Sequence, residues 1–142
     1  LLLKAEKPKI IATTASLFIL VNSVSAGFPS PADDYTEENI DLNEHLLRNP
    51  FSTFFLRVKG DSMINSGIHD KDLIIVDKSL TPKPGNIVIA MIDGEFTVKR
   101  LLINNNQLYL KAENHNYPDF KFEEHNDIQI WGVVIYSIHH LT

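Results

Sequence analysis

The sequence predicts a mainly β domain behind an N-terminal arm. Six short runs rich in β-branched and aromatic residues carry that prediction: Thr53 to Val58, Leu73 to Asp77, Ile87 to Ile92, Glu95 to Leu101, Gln107 to Ala112 and Ile128 to Ile138. Between them, Asn65 to Asp70, Pro82 to Asn86, Asp93-Gly94 and Asn104 to Asn106 supply the Gly, Pro, Asn and Asp that tight turns require. The N-terminal third lacks such alternation, and its only helical spacing is that of Leu42, Leu46 and Leu47 within Asp41 to Asn49.

Taken in order, the chain opens with Lys4, Lys7 and Lys9 ahead of a mostly apolar stretch from Ile10 to Val24, and Val24-Ser25-Ala26 places small residues before Gly27. That arrangement is the pattern of a secretory signal. Thr13, Thr14, Ser16, Asn22 and Ser23 interrupt the stretch, so it makes a poor membrane span and only a modest signal core. A cytoplasmic arm and an export signal therefore both remain open for residues 1–26. Gly27, Pro29, Pro31, Asp33 and Asp34 form a turn-rich break, and Pro50 closes the short helix expected at Leu42 to Leu47. The division expected is an arm at 1–26, a linker with one short helix at 27–52, and a β domain at 53–142. Asp93-Gly94 reads as a two-residue hairpin turn. No internal repeat interrupts this order.

A length of 142 residues suits one core, and 44% hydrophobic with 22% charged residues is an ordinary globular balance. The net charge of −5 disfavours direct binding to a phosphate backbone. With no cysteine, thiolate catalysis, disulfides and Cys-based zinc sites are excluded.

Two stretches carry chemistry. Val58-Lys59-Gly60-Asp61-Ser62-Met63 runs from a strand end into a glycine turn, which can expose the Ser62 hydroxyl as a nucleophile, with the backbone N–H groups of Ser62 and Asp61 facing an oxyanion. Alone, the same serine reads more readily as a turn or helix-capping residue. In Glu95-Phe96-Thr97-Val98-Lys99-Arg100-Leu101, Lys99 shares a strand face with Thr97 and Leu101. Were that face buried, desolvation would lower the lysine pKa and turn it into a general base, whereas a solvated edge lysine would only discourage aggregation.

The conjunction narrows these alternatives. Val58-x-Gly60-Asp61-Ser62-Met63, Gly67-Ile68-x-Asp70-x-Asp72-Leu73, Val76-Asp77 and Phe96-Thr97-Val98-Lys99 resemble, in order and spacing, the LexA/UmuD family of self-cleaving Ser/Lys peptidases. The resemblance runs from Gly27-Phe28-Pro29-Ser30-Pro31 to Gly132-Val133-Val134-Ile135. It implies a LexA-like C-terminal peptidase fold of small, strongly bent sheets with a mobile N-terminal arm. It further implies Ser62 as nucleophile, Lys99 as its base and Ala26-Gly27 as the bond cut in the chain's own arm. Family members carry a small residue at the position of Ala26, as here. Twenty-six residues are too few for the helix-turn-helix that repressor members place before their cleavage site. The implied role is therefore that of the branch cleaved on RecA filaments of single-stranded DNA in the SOS response. There the trimmed homodimer joins UmuC in the error-prone DNA polymerase V.

Other groupings are weaker. His45, His69, His115, His125, His139 and His140 show no metal-ligand spacing with acidic partners, so no metal or other cofactor is expected. Asp70 and Asp72 admit an acid/base reading but suit a turn better, and Trp131 suits a core or a dimer surface. Two other functions stay open: a signal-peptidase-like protein, which shares the Ser-Met and Lys-Arg motifs, and a binding module in which Ser62 and Lys99 only hydrogen-bond.

Overall fold

A computed structural model describes residue 6 and residues 17–20, 26–29, 37–122 and 127–142. Most of the apolar stretch from Ile10 to Val24 lies outside these residues, as do Lys4, Lys7, Lys9, Pro31, Asp33, Asp34 and His125. The described residues fall into two compact units, one running from Asn49 to Thr142 with Glu6, the other lying within Lys9–Arg48.

The smaller unit holds β1 (Leu17–Leu20) and β2 (Glu37–Ile40), paired antiparallel, and the helix α1 (Leu42–Leu46). Neither strand was expected. The helix starts where the sequence places it, because the Asp41 carboxylate accepts the Asn43 N–H at 2.9 Å and so satisfies an amide that the first turn leaves unpaired.

The larger unit is one antiparallel sheet in the order β3-β4-β9-β5-β6-β7-β8. Its strands are β3 (Thr53–Arg57), β4 (Leu73–Asp77), β5 (Ile87–Ile92), β6 (Glu95–Asn104), β7 (Gln107–Lys111), β8 (Phe120–Lys121) and β9 (Ile128–Ile138). The mainly β expectation is met. All six strands read from the sequence are present within a few residues of their expected ends; only the two-residue β8 was not foreseen. The C-terminal strand β9 sits in the middle and joins β4 to β5. It carries an extra residue against each neighbour, Trp131 against β5 and Ile135 against β4, and such bulges bend and twist a strand. Gly132 lies between them because β9 presses close to β4 there: a Cβ would stand 2.6 Å from Val76 Cγ1.

The sheet buries apolar residues on both faces. Ile89 joins Leu56, Val58, Met63, Ile68, Ile74 and Val76 in one cluster, whereas Val88, Ala90 and Ile92 join Leu101, Leu110 and Val133 in another. A strand covered on both sides needs no polar alternation, which is why Ile87 to Ile92 is apolar throughout. Hairpins close the β5-β6 and β6-β7 pairs. Positive φ at Asp93 (49°) and Gly94 (83°), and at Asn105 (50°) and Asn106 (60°), is the backbone of type I′ turns whose twist matches the flanking strands.

Asp77 is a buried polar hub at the end of β4. Its carboxylate accepts Asn49 Nδ2 at 2.9 Å, Ser52 Oγ at 2.8 Å, and the Ser79 N–H and Oγ at 2.8 and 2.7 Å. Burial by itself would raise its pKa, but the bonds from Asn49, Ser79 and Ser52 outweigh burial and hold the carboxyl below its ordinary 3.8. A carboxylate depressed in the folded state adds stability above its unfolded pKa and loses it as pH falls through the folded value. Asp77→Ala, which strands several donors, is therefore expected to cost about 1–3 kcal/mol at neutral pH in urea unfolding, and the difference from the parent should narrow below about pH 3.8.

Candidate active site

The loop between β3 and β4 is built by pairing with the turn that precedes β4. Val58 N–H donates to the Asp72 carbonyl at 2.9 Å, Lys71 N–H donates to the Val58 carbonyl at 2.8 Å, and Gly60 N–H donates to Asp70 Oδ1 at 2.6 Å. Gly60 has φ +97°, a left-handed conformation that L side chains rarely adopt, and this reverses the chain ahead of Asp61 and Ser62. Met63, 1% exposed, is rooted in the first core cluster, and a short 3-10 turn follows at Ile64–Ser66. With Met63 anchored inward, half-buried Ser62 is left at the wall of a cleft.

A second segment clamps this loop. The Asp61 carbonyl accepts Ile64 N–H and Asn114 Nδ2, both at 3.1 Å; Tyr117 Oη donates to Asp61 Oδ1 at 2.7 Å; Asn65 N–H donates to the Glu113 carbonyl at 2.9 Å. The peptide between Asp61 and Ser62 is planar and trans, so with its carbonyl turned toward Asn114 its N–H points to the opposite side. Asn114 and Tyr117 were not read from the sequence. They lie 53 and 56 residues from Asp61, in a loop without a regular pattern, and no local signal couples them to it.

Lys99 stands on β6 opposite Val88, on the face that continues into buried Leu101. It is 5% exposed, and burial lowers its pKa below the ordinary 10.5. Its Nζ lies 5.6 Å from the centre of the Tyr117 ring. Ser62 and Lys99, far apart in sequence, line one cleft of about 640 Å³ together with Phe96, Thr97 and Tyr117. An adjoining groove of about 620 Å³, walled by Phe55, Val58, Met63, Phe96 and Val98, also reaches Ser62. The arrangement offers a hydroxyl, a desolvated amine and an apolar channel in which an extended peptide can lie. Such a set suits acyl transfer.

Ala26 and Gly27 are exposed and belong to the smaller unit, and Gly27 has φ +133°, a value that favours glycine. Asp70 and Asp72 do not form a pair. Asp70 is exposed and bonded to Gly60, whereas Asp72 is buried beneath His69 and His139, a grouping that the sequence spacing does not reveal. Trp131 packs edge-on to Phe54 and Phe96 against the first cluster, with Lys78 Nζ 4.7 Å above its ring. Among the described residues no helix is long and apolar enough to cross a membrane.

A serine and a buried lysine lining one cleft of a β domain suit a peptidase, and comparison with known proteins gives the family. Residues 19–135 match the Peptidase S24-like family model, and the chain belongs to that family. It is 49% identical to protein SamA of Salmonella typhimurium over 98% of this chain and 95% of that protein. It is 44% identical to protein MucA of Escherichia coli over 87% and 84%, and 40% identical to LexA repressor 1 of Geobacter sulfurreducens over 86% and 60%. The resemblance to the LexA/UmuD family read from separated motifs is thus met along most of the chain.

Proposed function

We propose that the chain is a serine endopeptidase acting on itself, cutting between Ala26 and Gly27. The observation that carries this reading is the meeting of Ser62 with a buried, pKa-lowered Lys99 in one cleft. Neutral Lys99 Nζ takes the proton of Ser62 Oγ as that oxygen attacks the Ala26 carbonyl carbon. The backbone N–H groups of Ser62 and Asp61 receive the oxyanion; for the Ser62 N–H this is supported by the way Asn114 turns the Asp61 carbonyl of the same peptide the other way. Collapse breaks the Ala26–Gly27 bond, and Lys99 returns the proton to the departing Gly27 amine. Water then attacks the Ser62 ester, its proton passing to Lys99 and from there to the departing Ser62 Oγ, and residues 1–26 are released from 27–142. A tethered arm reaches the nucleophile at high effective concentration, so modest catalytic power suffices.

The family resemblance supplies the setting. Cleavage is stimulated by RecA filaments on single-stranded DNA in the SOS response, in the cytoplasm. The trimmed chain forms a homodimer that serves UmuC in translesion synthesis as an accessory subunit of DNA polymerase V, without binding DNA directly. The acidic net charge of −5 is consistent with partners other than bare DNA.

The export reading puts a cut at the same bond by another agent. In cells carrying Ser62→Ala, self-cleavage predicts a full-length chain retained after DNA damage; a trimmed chain outside the cytoplasm overturns it. Tyr117→Phe keeps the ring beside Lys99 but drops the bond to Asp61. Self-cleavage should slow by up to about 100-fold as the nucleophile loop loosens, with an unchanged melting temperature, measured as cleavage rate and thermal unfolding side by side.

A further inference from the structure

Away from the cleft, His69, Asp72 and His139 converge, their candidate ligand atoms all within 4.8 Å of one another. His69 and Asp72 come from the turn before β4, and His139 directly follows β9. The two imidazoles stack, with ring centres 4.2 Å apart and planes at 25°. Both Nδ1 atoms turn to the same carboxylate: His139 Nδ1 lies 2.5 Å from Asp72 Oδ1, and His69 Nδ1 lies 3.6 Å from Asp72 Oδ2. Asp72 is 2% exposed. His69 Nδ1 is itself buried and has no hydrogen-bond partner, a state that normally costs free energy unless something else engages the atom.

We propose that His69, Asp72 and His139 form a binding site for a divalent transition metal of the zinc class. Two imidazoles and a carboxylate are a donor set suited to zinc and its neighbours and poorly suited to calcium or magnesium, which take oxygen ligands. One ion at the Nδ1 edges of the two rings, met by their in-plane nitrogen lone pairs, engages the orphaned His69 Nδ1 and takes the place of the His139–Asp72 contact. The rings are about 40% exposed at their outer sides, which leaves room for water to complete the shell. Outer contacts already hold the carboxylate: the His69 backbone N–H and Ser137 Oγ lie 2.7 and 3.2 Å from Asp72 Oδ2. Ligands oriented in this way lose less freedom on binding. Bound metal ties the end of the central strand to the turn that pairs with Val58.

The test uses untagged full-length protein, because an added histidine tag would bind the same ions. Equilibrium dialysis against zinc chloride should give one ion per chain, and zinc should raise the melting temperature. His69→Gln and His139→Gln, both at partly exposed positions that the fold tolerates, should each weaken binding by at least about tenfold, and the double variant should lose both binding and the thermal shift. His115→Gln should behave as the parent does. Failure of the parent to bind zinc stoichiometrically, binding that survives in the double variant, or equal displacement by magnesium overturns the proposal. Circular dichroism of each variant separates lost ligation from lost fold.

Discussion

Ser62→Ala and Lys99→Ala should each slow self-cleavage by roughly 10⁴-fold or more while leaving the chain folded. Ser62 is half-buried at the cleft wall, and alanine differs from serine only by the missing Oγ, so the substitution takes away the bond-forming oxygen and little else. Lys99 is different in kind. In the proposed mechanism its amine is the proton acceptor on which the hydroxyl depends, so the double variant should be no slower than either single one if the two act as a unit. Cleavage near the parental rate in either variant would remove these residues from the mechanism.

The second large effect is on pH. Burial holds the Lys99 pKa below 10.5, and only the neutral amine accepts a proton. Spontaneous cleavage should rise about tenfold per pH unit below the folded-state pKa and level off above it. Stability moves in the same direction, since the unfolded chain binds the lysine proton more tightly than the folded chain does. The folded state therefore gains stability as pH climbs between the folded pKa and 10.5. Lys99→Met removes that burden. It should melt at a higher temperature than the parent at pH 7, with the gap shrinking toward pH 10.5, although it no longer cleaves. A flat rate profile, or a Lys99→Met variant less stable at neutral pH, would argue against a desolvated base.

Strands were legible where composition and turn chemistry agreed. Asp93-Gly94 announces a hairpin and Asn104 to Asn106 a tight turn, because so few residues accept positive φ at successive positions. The apolar run at Ile87 to Ile92 declares a strand but not its place between β9 and β6, since strand order comes from long-range pairing that no local window contains. Separated motifs in fixed order singled out Ser62 and Lys99, whereas burial of Lys99 required the fold: both faces of its strand are covered, one by each core cluster, and no local alternation announces that. Asn114, Tyr117 and the pairing of His69 with His139 were invisible for the same reason. A loop and a chain end reach them from far along the sequence, without periodicity.

The proposed self-cleavage requires the chain to cut itself at one bond with one pair of side chains. Intact mass spectrometry of purified full-length protein tests this most directly, after incubation at alkaline pH and, separately, with RecA, a nucleotide and single-stranded DNA. The expected result is two fragments meeting at Ala26 and Gly27, formed faster with the filament and absent from Ser62→Ala. An intact, folded parent under both conditions, a cut at another bond, or equal cleavage of Ser62→Ala would contradict it.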